Sequence, residues 1–364
     1  MREHILKRIV LLSCLGVMMA MPAMAATGDV VMKDVEFEGA ASAADKQTMA
    51  VAKVPNEVNP FVPAKNKSES GSASIAVTAP LLSYVPDVTF AQVPSRGYEN
   101  VDLKMDIIKP MGKTTQPAVI FVTGGGFINA NKANYLQQRV KLAEAGYVVA
   151  SIEYRVAPTA IMPQPLEDVK AAVRYLRANA EKFNIDPTNI GLWGSSAGGY
   201  LVAMAGATNG NKIYDKGAYL DQSSDVQAVV DFYGLSDLTQ IAMDYSSEIK
   251  ELHKSSGATE ALWVNGSGVF GGIDGGVLAT PERTAAANPI RHISAKTAPF
   301  LLMHGDQDTS VSPGQTRILH EALIEKGIAS ERYVIKGAKH GGEYWVQEPV
   351  VNKVIAFFNQ YLKK

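Results

Sequence analysis

The sequence has almost no cysteine. The single one, Cys14, lies inside an N-terminal apolar run, so a chain trimmed beyond that run would carry none. Disulfides, zinc–thiolate sites and a cysteine nucleophile are excluded together from such a chain. A dominant charge sign is lacking too: 35 Lys and Arg face 36 Asp and Glu, for a net charge of -1. No broad field then steers the protein toward nucleic acid or an acidic membrane surface. The apolar run itself, Ile9–Met21, is shorter than the roughly 20 residues a spanning helix needs, so no stable membrane span is expected.

That run reads as a targeting segment. Arg2, Lys7 and Arg8 precede it, and Ala23-Met24-Ala25 supplies an A-x-A site, so cleavage is expected after Ala25, with export to a periplasm or the medium. Leu11-Leu12-Ser13-Cys14 has the look of a lipoprotein site, but the apolar run continues past it. Residues 26–85 lack periodicity and include KSESGSAS at Lys67–Ser74; they are expected to form a flexible extension. Residues 86–364 are expected to form one catalytic domain. Nothing in the sequence specifies an oligomeric state.

From residue 86 strands and helices alternate. Val88–Val93 and Val101–Ile108 flank the turn Ser95-Arg96-Gly97 and predict an edge hairpin. AVIFV at Ala118–Val122 suits a strand buried on both faces, followed by a helix over 132–145 and a strand over 147–152. Leu166, Val169, Val173, Leu176, Ala180 and Phe183 recur at helical spacing as one stripe, and Asp186-Pro187 turns the chain. Strands at 190–193, 226–232, 299–303 and 332–335 and helices at 197–205, 313–326 and 350–362 complete the pattern. Such alternation implies a mainly parallel sheet with helices on both faces, an α/β fold whose ligands bind beyond the carboxyl ends of the strands. Residues 236–298 break the alternation after the sixth strand and are expected to form a lid; their Trp263 and Phe270 could wall a pocket or simply pack the insertion down.

Gly194-Ser195-Ser196-Ala197-Gly198 matches G-x-S-x-G between a strand and a helix. In a turn that tight, positions two residues either side of the nucleophile must be glycine. Trp193 could not take that place, so Ser196 is preferred to Ser195. Thr123-Gly124-Gly125-Gly126-Phe127 follows the buried strand and can aim backbone N–H groups at a ligand. It fits neither phosphate-loop nor dinucleotide spacing. Gly125, Gly126 and Ala197 are therefore the candidate oxyanion donors. A serine needs a base, and His340, in a glycine-rich loop after the last strand, has the right topology. His304, at a strand end, reads as structural. The base needs an acid: Asp308 is preferred, while Asp306 and, more weakly, Asp231 stay chemically eligible. The order Ser196…Asp308…His340 is that of α/β-hydrolases.

At these residues the chain resembles the α/β-hydrolase superfamily, in its hormone-sensitive-lipase-like and bacterial feruloyl- or acetyl-esterase-like branch. The resemblance rests on TGGGF at 123–127, YRVAP at 154–158, LEDVKAAVRYLR at 166–177, GSSAGG at 194–199, HGDQD at 304–308 and KHGG at 339–342. It implies the α/β-hydrolase fold and hydrolysis of a small-molecule or polysaccharide-linked ester with no cofactor and no metal. In the family's HG-x-x-D the acid is the last residue, which favours Asp308. The chain departs from the family at Thr123, where the oxyanion loop usually begins with His, and it shows no helical N-terminal cap. A peptidase of the prolyl-oligopeptidase type would need a propeller domain that residues 26–85 are too few to build. A non-catalytic binding protein would not need a complete triad.

Overall fold

The computed structural model describes residues 61–68 and 70–363; the expected targeting segment and most of the expected extension lie outside them. Two units are distinguished. In the first, Phe61–Val62 pairs antiparallel with Ser72–Ala73, and all four residues are exposed.

The second unit, from Ala76 on, holds an eight-stranded sheet. Its strands are β1 (Leu82–Ser95), β2 (Tyr98–Pro110), β3 (Gln116–Val122), β4 (Val148–Ile152), β5 (Ile185–Ser195), β6 (Ala228–Phe232), β7 (Phe300–Gly305) and β8 (Ser330–Ile335). Their spatial order is 1-2-4-3-5-6-7-8, and every pairing is parallel except β1–β2 and β2–β4. The expected edge hairpin is present and longer than the apolar alternation alone indicated. Ser95 pairs with Tyr98, and Gly97 takes the left-handed φ of +80° that so short a turn requires.

Helices α1 (Leu136–Glu144), α2 (Gln164–Ala178), α3 (Ala197–Ala207), α4 (Gly314–Glu325) and α5 (Glu348–Leu362) cover the two faces. The pleat of β3 sorts the core. Ala118, Ile120 and Val122 join the cluster containing Leu166, Tyr200 and Leu319 from α2, α3 and α4; Val119 and Phe121 join Leu142, Val354 and Phe357 from α1 and α5. The continuous AVIFV run is thus buried on both sides.

Three boundaries differ from expectation for local reasons. α1 starts at Leu136, not at 132, because Asn131 accepts from the N–H of Ala133 and Asn134 and Tyr135 turns left-handed at φ +60°. The stripe at 166–183 is split at Asn179, whose backbone and side-chain nitrogens both donate to Tyr175. β5 begins at Ile185, ahead of Asp186-Pro187. The pairing with β3 jumps from Ile185 to Ile190, and Asp186 closes the intervening turn by accepting from Thr188 and Asn189.

Residues 236–298 are not a bare loop. They contain short helices at Ser247–His253, Thr259–Asn265 and Pro281–Ala286, linked by 3₁₀ turns. Trp263 is fully buried against Phe127, Tyr154 and Tyr200 and packs the insertion onto α3 and the segments that follow β3 and β4. Phe270 is mostly exposed, with the Arg96 guanidinium 3.7 Å from its ring centroid.

Candidate active site

The site forms where β3, β5, β6, β7 and β8 end. Ser196 occupies the turn from β5 into α3 at φ 56°, ψ -123°, a backbone region that side chains rarely adopt. Two features hold it there. Its N–H donates to Phe232 O at 2.8 Å. Gly194 and Gly198 let the chain fold on itself: a Cβ on Gly198 would lie 2.0 Å from Val122 O, and one on Gly194 would lie 2.3 Å from Gly198 O. The steric requirement behind G-x-S-x-G is therefore real at both positions. Ser195, by contrast, is buried, with 1% of its surface exposed.

His340 Nε2 lies 2.8 Å from Ser196 Oγ, and His340 Nδ1 lies 2.7 Å from Asp308 Oδ2. With Nδ1 protonated toward the carboxylate, Nε2 is left as an acceptor for the serine proton. Asp308 is a fully engaged acceptor. Its Oδ1 accepts from Ser310 N (2.8 Å) and Val311 N (3.0 Å), and its Oδ2 accepts from His340 and from His304 Nε2 (3.1 Å). Burial pushes this carboxyl toward neutrality, but the bonds from His304 and His340 outweigh it and hold the carboxyl well below its usual range.

The two alternative acids sit elsewhere. Asp306 accepts from Gly337 N at 2.7 Å and pairs with Lys336, so it ties down the loop that leads to His340. Asp231 is completely buried, accepts from Gly234 N at 2.9 Å, and is pushed up to about 8 by that burial. His304 reads as structural from sequence. The structure adds that it touches the Asp308 carboxylate, while its Nδ1 faces Thr316 Oγ1 at 3.1 Å. Only its HG-x-x-D spacing from Asp308 signals that contact.

The oxyanion loop bends sharply. Ile128 N and Asn129 N both return to Gly125 O, Gly126 takes φ +59°, and a Cβ on Gly125 would lie 2.1 Å from Asn129 O. A Cβ on Gly124 would meet Ser196 Cβ at 2.9 Å, so this loop runs directly beside Ser196. Among the described residues, the N–H groups of Gly125, Gly126 and Ala197 reach no acceptor, and Ala197 opens α3, where first-turn N–H groups have no helical partner. Those N–H groups and the positive end of the helix dipole favour an anion at this place.

Thr123 does not brace the loop through its side chain: among the described residues its buried hydroxyl has no hydrogen-bond partner. The YRVAP segment does the bracing. Tyr154 O–H donates to Thr123 O at 2.8 Å, and Ala157 N donates to Phe127 O at 2.9 Å. Arg155 in turn is clamped by Asp168 of α2 through bonds of 2.7–3.1 Å. Among the described residues no cluster of side chains suited to a metal ion occurs, and no helix is long and apolar enough to cross a membrane.

An eight-stranded sheet in this order, with a serine elbow and a histidine–aspartate pair at its carboxyl edge, defines an α/β-hydrolase. The chain belongs to the BD-FAE family, whose match spans residues 105–323. It is 32% identical over 259 residues to esterase LipC of Mycobacterium tuberculosis, covering 69% of this chain and 60% of that protein. It spans about half the length of the curated relatives it matches. Among solved structures, a truncated carbohydrate esterase from gut microbiota superposes with a TM-score of 0.67 at 29% identity, over 79% of this chain and 99% of that one. A bifunctional GH43-CE protein of Bacteroides eggerthii gives 0.63 at 29% identity, over 80% of this chain and 39% of that one.

Proposed function

We propose that the protein is an exported serine carboxylesterase that hydrolyses short-chain or carbohydrate-linked acyl esters through an acyl-enzyme. The observation that carries this reading is the continuous relay Asp308 Oδ2–His340–Ser196 Oγ, with contacts of 2.7 and 2.8 Å. His340 Nε2 takes the Ser196 proton as Oγ attacks the ester carbonyl carbon. The carbonyl electron pair moves onto oxygen, where the N–H groups of Gly125, Gly126 and Ala197 receive it; one such donor is typically worth about 3 kcal/mol. The tetrahedral species collapses, His340 passes its proton to the departing alcohol, and an acyl-serine remains. Water repeats the sequence and releases the acid. Throughout, the Asp308 carboxylate stabilises the imidazolium without taking its proton.

Relatives that bear esterase names support ester hydrolysis, and the carbohydrate-esterase likeness at 29% identity supports a sugar-linked substrate. The A-x-A pattern supports export. The insertion at 236–298 packs its Trp263 against Phe127 of the oxyanion loop, which supports its reading as a wall or lid of the same site. Ser196→Ala assayed on p-nitrophenyl acetate and on acetylated xylo-oligosaccharides tests the proposal. Loss of nearly all activity on both is expected; retained turnover would rule out the serine mechanism, and turnover confined to the phenyl ester would rule out the carbohydrate substrate.

A further inference from the structure

We propose that Tyr233 is a positioning residue that sets the plane of the His340 imidazole, and that the turn Phe232–Tyr233–Gly234 aligns nucleophile and base together. This inference rests on the serine-hydrolase reading given above. Tyr233 follows β6, has 1% of its surface exposed, and sits in the left-handed region at φ +44°. Nothing local requires that conformation of a tyrosine, so the surrounding structure must enforce it; such residues cluster where function needs them. The enforcement is visible. Tyr233 N donates to Met303 O at 2.8 Å, which pins the turn to β7, and Gly234 N donates to Asp231.

The pinned turn faces both partners of the relay. Phe232 O, one residue earlier, accepts the Ser196 N–H at 2.8 Å. The Tyr233 ring lies 4.7 Å, centroid to centroid, from the His340 imidazole and is tilted 60° to it. Its neighbour Trp345 lies 4.5 Å away and donates from Nε1 to Lys339 O at 3.0 Å, beside His340 in the chain. Both imidazole nitrogens are already engaged by Ser196 and Asp308, so Tyr233 acts through its ring rather than by a hydrogen bond. A base held only by its two end contacts can still rock about the line between them. A buried ring against it removes that freedom, and misplacement of a catalytic group by about 1 Å can cost about a hundredfold in rate.

The test compares Tyr233→Phe with Tyr233→Leu in the full chain, with Tyr233→Met as the volume-filling alternative should the leucine variant fail to fold. Folding is checked by circular dichroism, and kcat and KM are measured on p-nitrophenyl acetate. The Phe variant is expected within about twofold of the parent. The Leu or Met variant should lose about tenfold to a hundredfold in kcat, with KM changed less than about threefold. Its low-field proton resonance from the His340–Asp308 hydrogen bond should broaden or shift, which loss of packing elsewhere would not cause. Parent-like kcat in folded Leu or Met variants would overturn the proposal. So would a Phe variant as impaired as they are, which would assign the role to the hydroxyl. Failure of the serine-hydrolase reading itself is separable: Ser196→Ala would then keep activity whatever Tyr233 does.

Discussion

Replacing Asp308 by Asn changes no volume and removes one charge, yet the hydrogen bonds predict a severe result. Oδ1 accepts two backbone N–H groups, and Oδ2 accepts from His340 and His304. All four partners are donors. An amide offers one acceptor oxygen and one donor nitrogen, so either orientation sets donor against donor. With the nitrogen toward His340, the imidazole must present Nδ1 as acceptor and carry its proton on Nε2, the wrong tautomer for receiving the Ser196 proton. With the nitrogen toward Ser310 and Val311, the loop that carries the acid loses two bonds. The first outcome costs about 10³–10⁴-fold in kcat; the second leaves buried donors unsatisfied at about 1–3 kcal/mol. Asp306→Asn is the control, because an amide oxygen can still accept from Gly337 N; its kcat should fall less than about threefold. Steady-state kinetics on a short p-nitrophenyl ester with a melting curve for each variant decides the matter. Parent-like kcat for Asp308→Asn, or an equal loss in Asp306→Asn, would refute the assignment of the acid.

Four further outcomes follow from the structure. Gly198→Ala should abolish soluble protein or lower stability by about 3 kcal/mol or more, because its Cβ would press 2.0 Å from a carbonyl of the central strand β3. Gly126→Ala, whose Cβ meets nothing within 4 Å, should cost only about 1–2 kcal/mol for its left-handed φ. Asp231 keeps its proton in the folded protein up to about 8 but loses it near the ordinary value when unfolded. The native state then binds the extra proton between those limits, so stability falls as pH rises through that window. Asp231→Asn should therefore be more stable than the parent at pH 8, by on the order of 5 kcal/mol, and the two should converge below pH 4; a pH-independent difference would contradict this. His253 is 2.6 Å from the buried Glu260 and is raised by that partner, so its contribution is complete below the ordinary histidine value and lost as pH rises through the raised one. Glu260→Gln should loosen the insertion's internal packing between its first two helices below that window and matter less above it, read by proteolysis rates of residues 236–298 across pH.

Much of this was legible in the sequence because several signals are steric or topological. The elbow glycines follow from a backbone collision that any sequence reader can anticipate, and β3 announces its double burial by five consecutive apolar residues. Asp308 over Asp306 is a preference from the roles the two could play, supported by the family's HG-x-x-D spacing; in the structure Asp308 faces the imidazole while Asp306 faces Gly337 N. The rest was illegible because it depends on long-range contacts. Tyr233 carries no motif, and its contact with His340 joins residues from the ends of β6 and β8. The bracing of the oxyanion loop by Tyr154 through a carbonyl leaves no mark at Thr123 itself. The insertion's short helices were hidden by its glycines, of which Gly266 ends the helix Thr259–Asn265 and Gly271 and Gly276 flank 3₁₀ turns.

The most direct measurement is the mass of the peptide carrying the elbow after reaction with a fluorophosphonate, which modifies only an activated serine. One adduct on Ser196 is expected, at a rate that collapses in His340→Ala, because Ser196 Oγ lies 2.8 Å from the imidazole. An adduct on Ser195, no adduct at all, or a rate that His340→Ala leaves unchanged would contradict the relay.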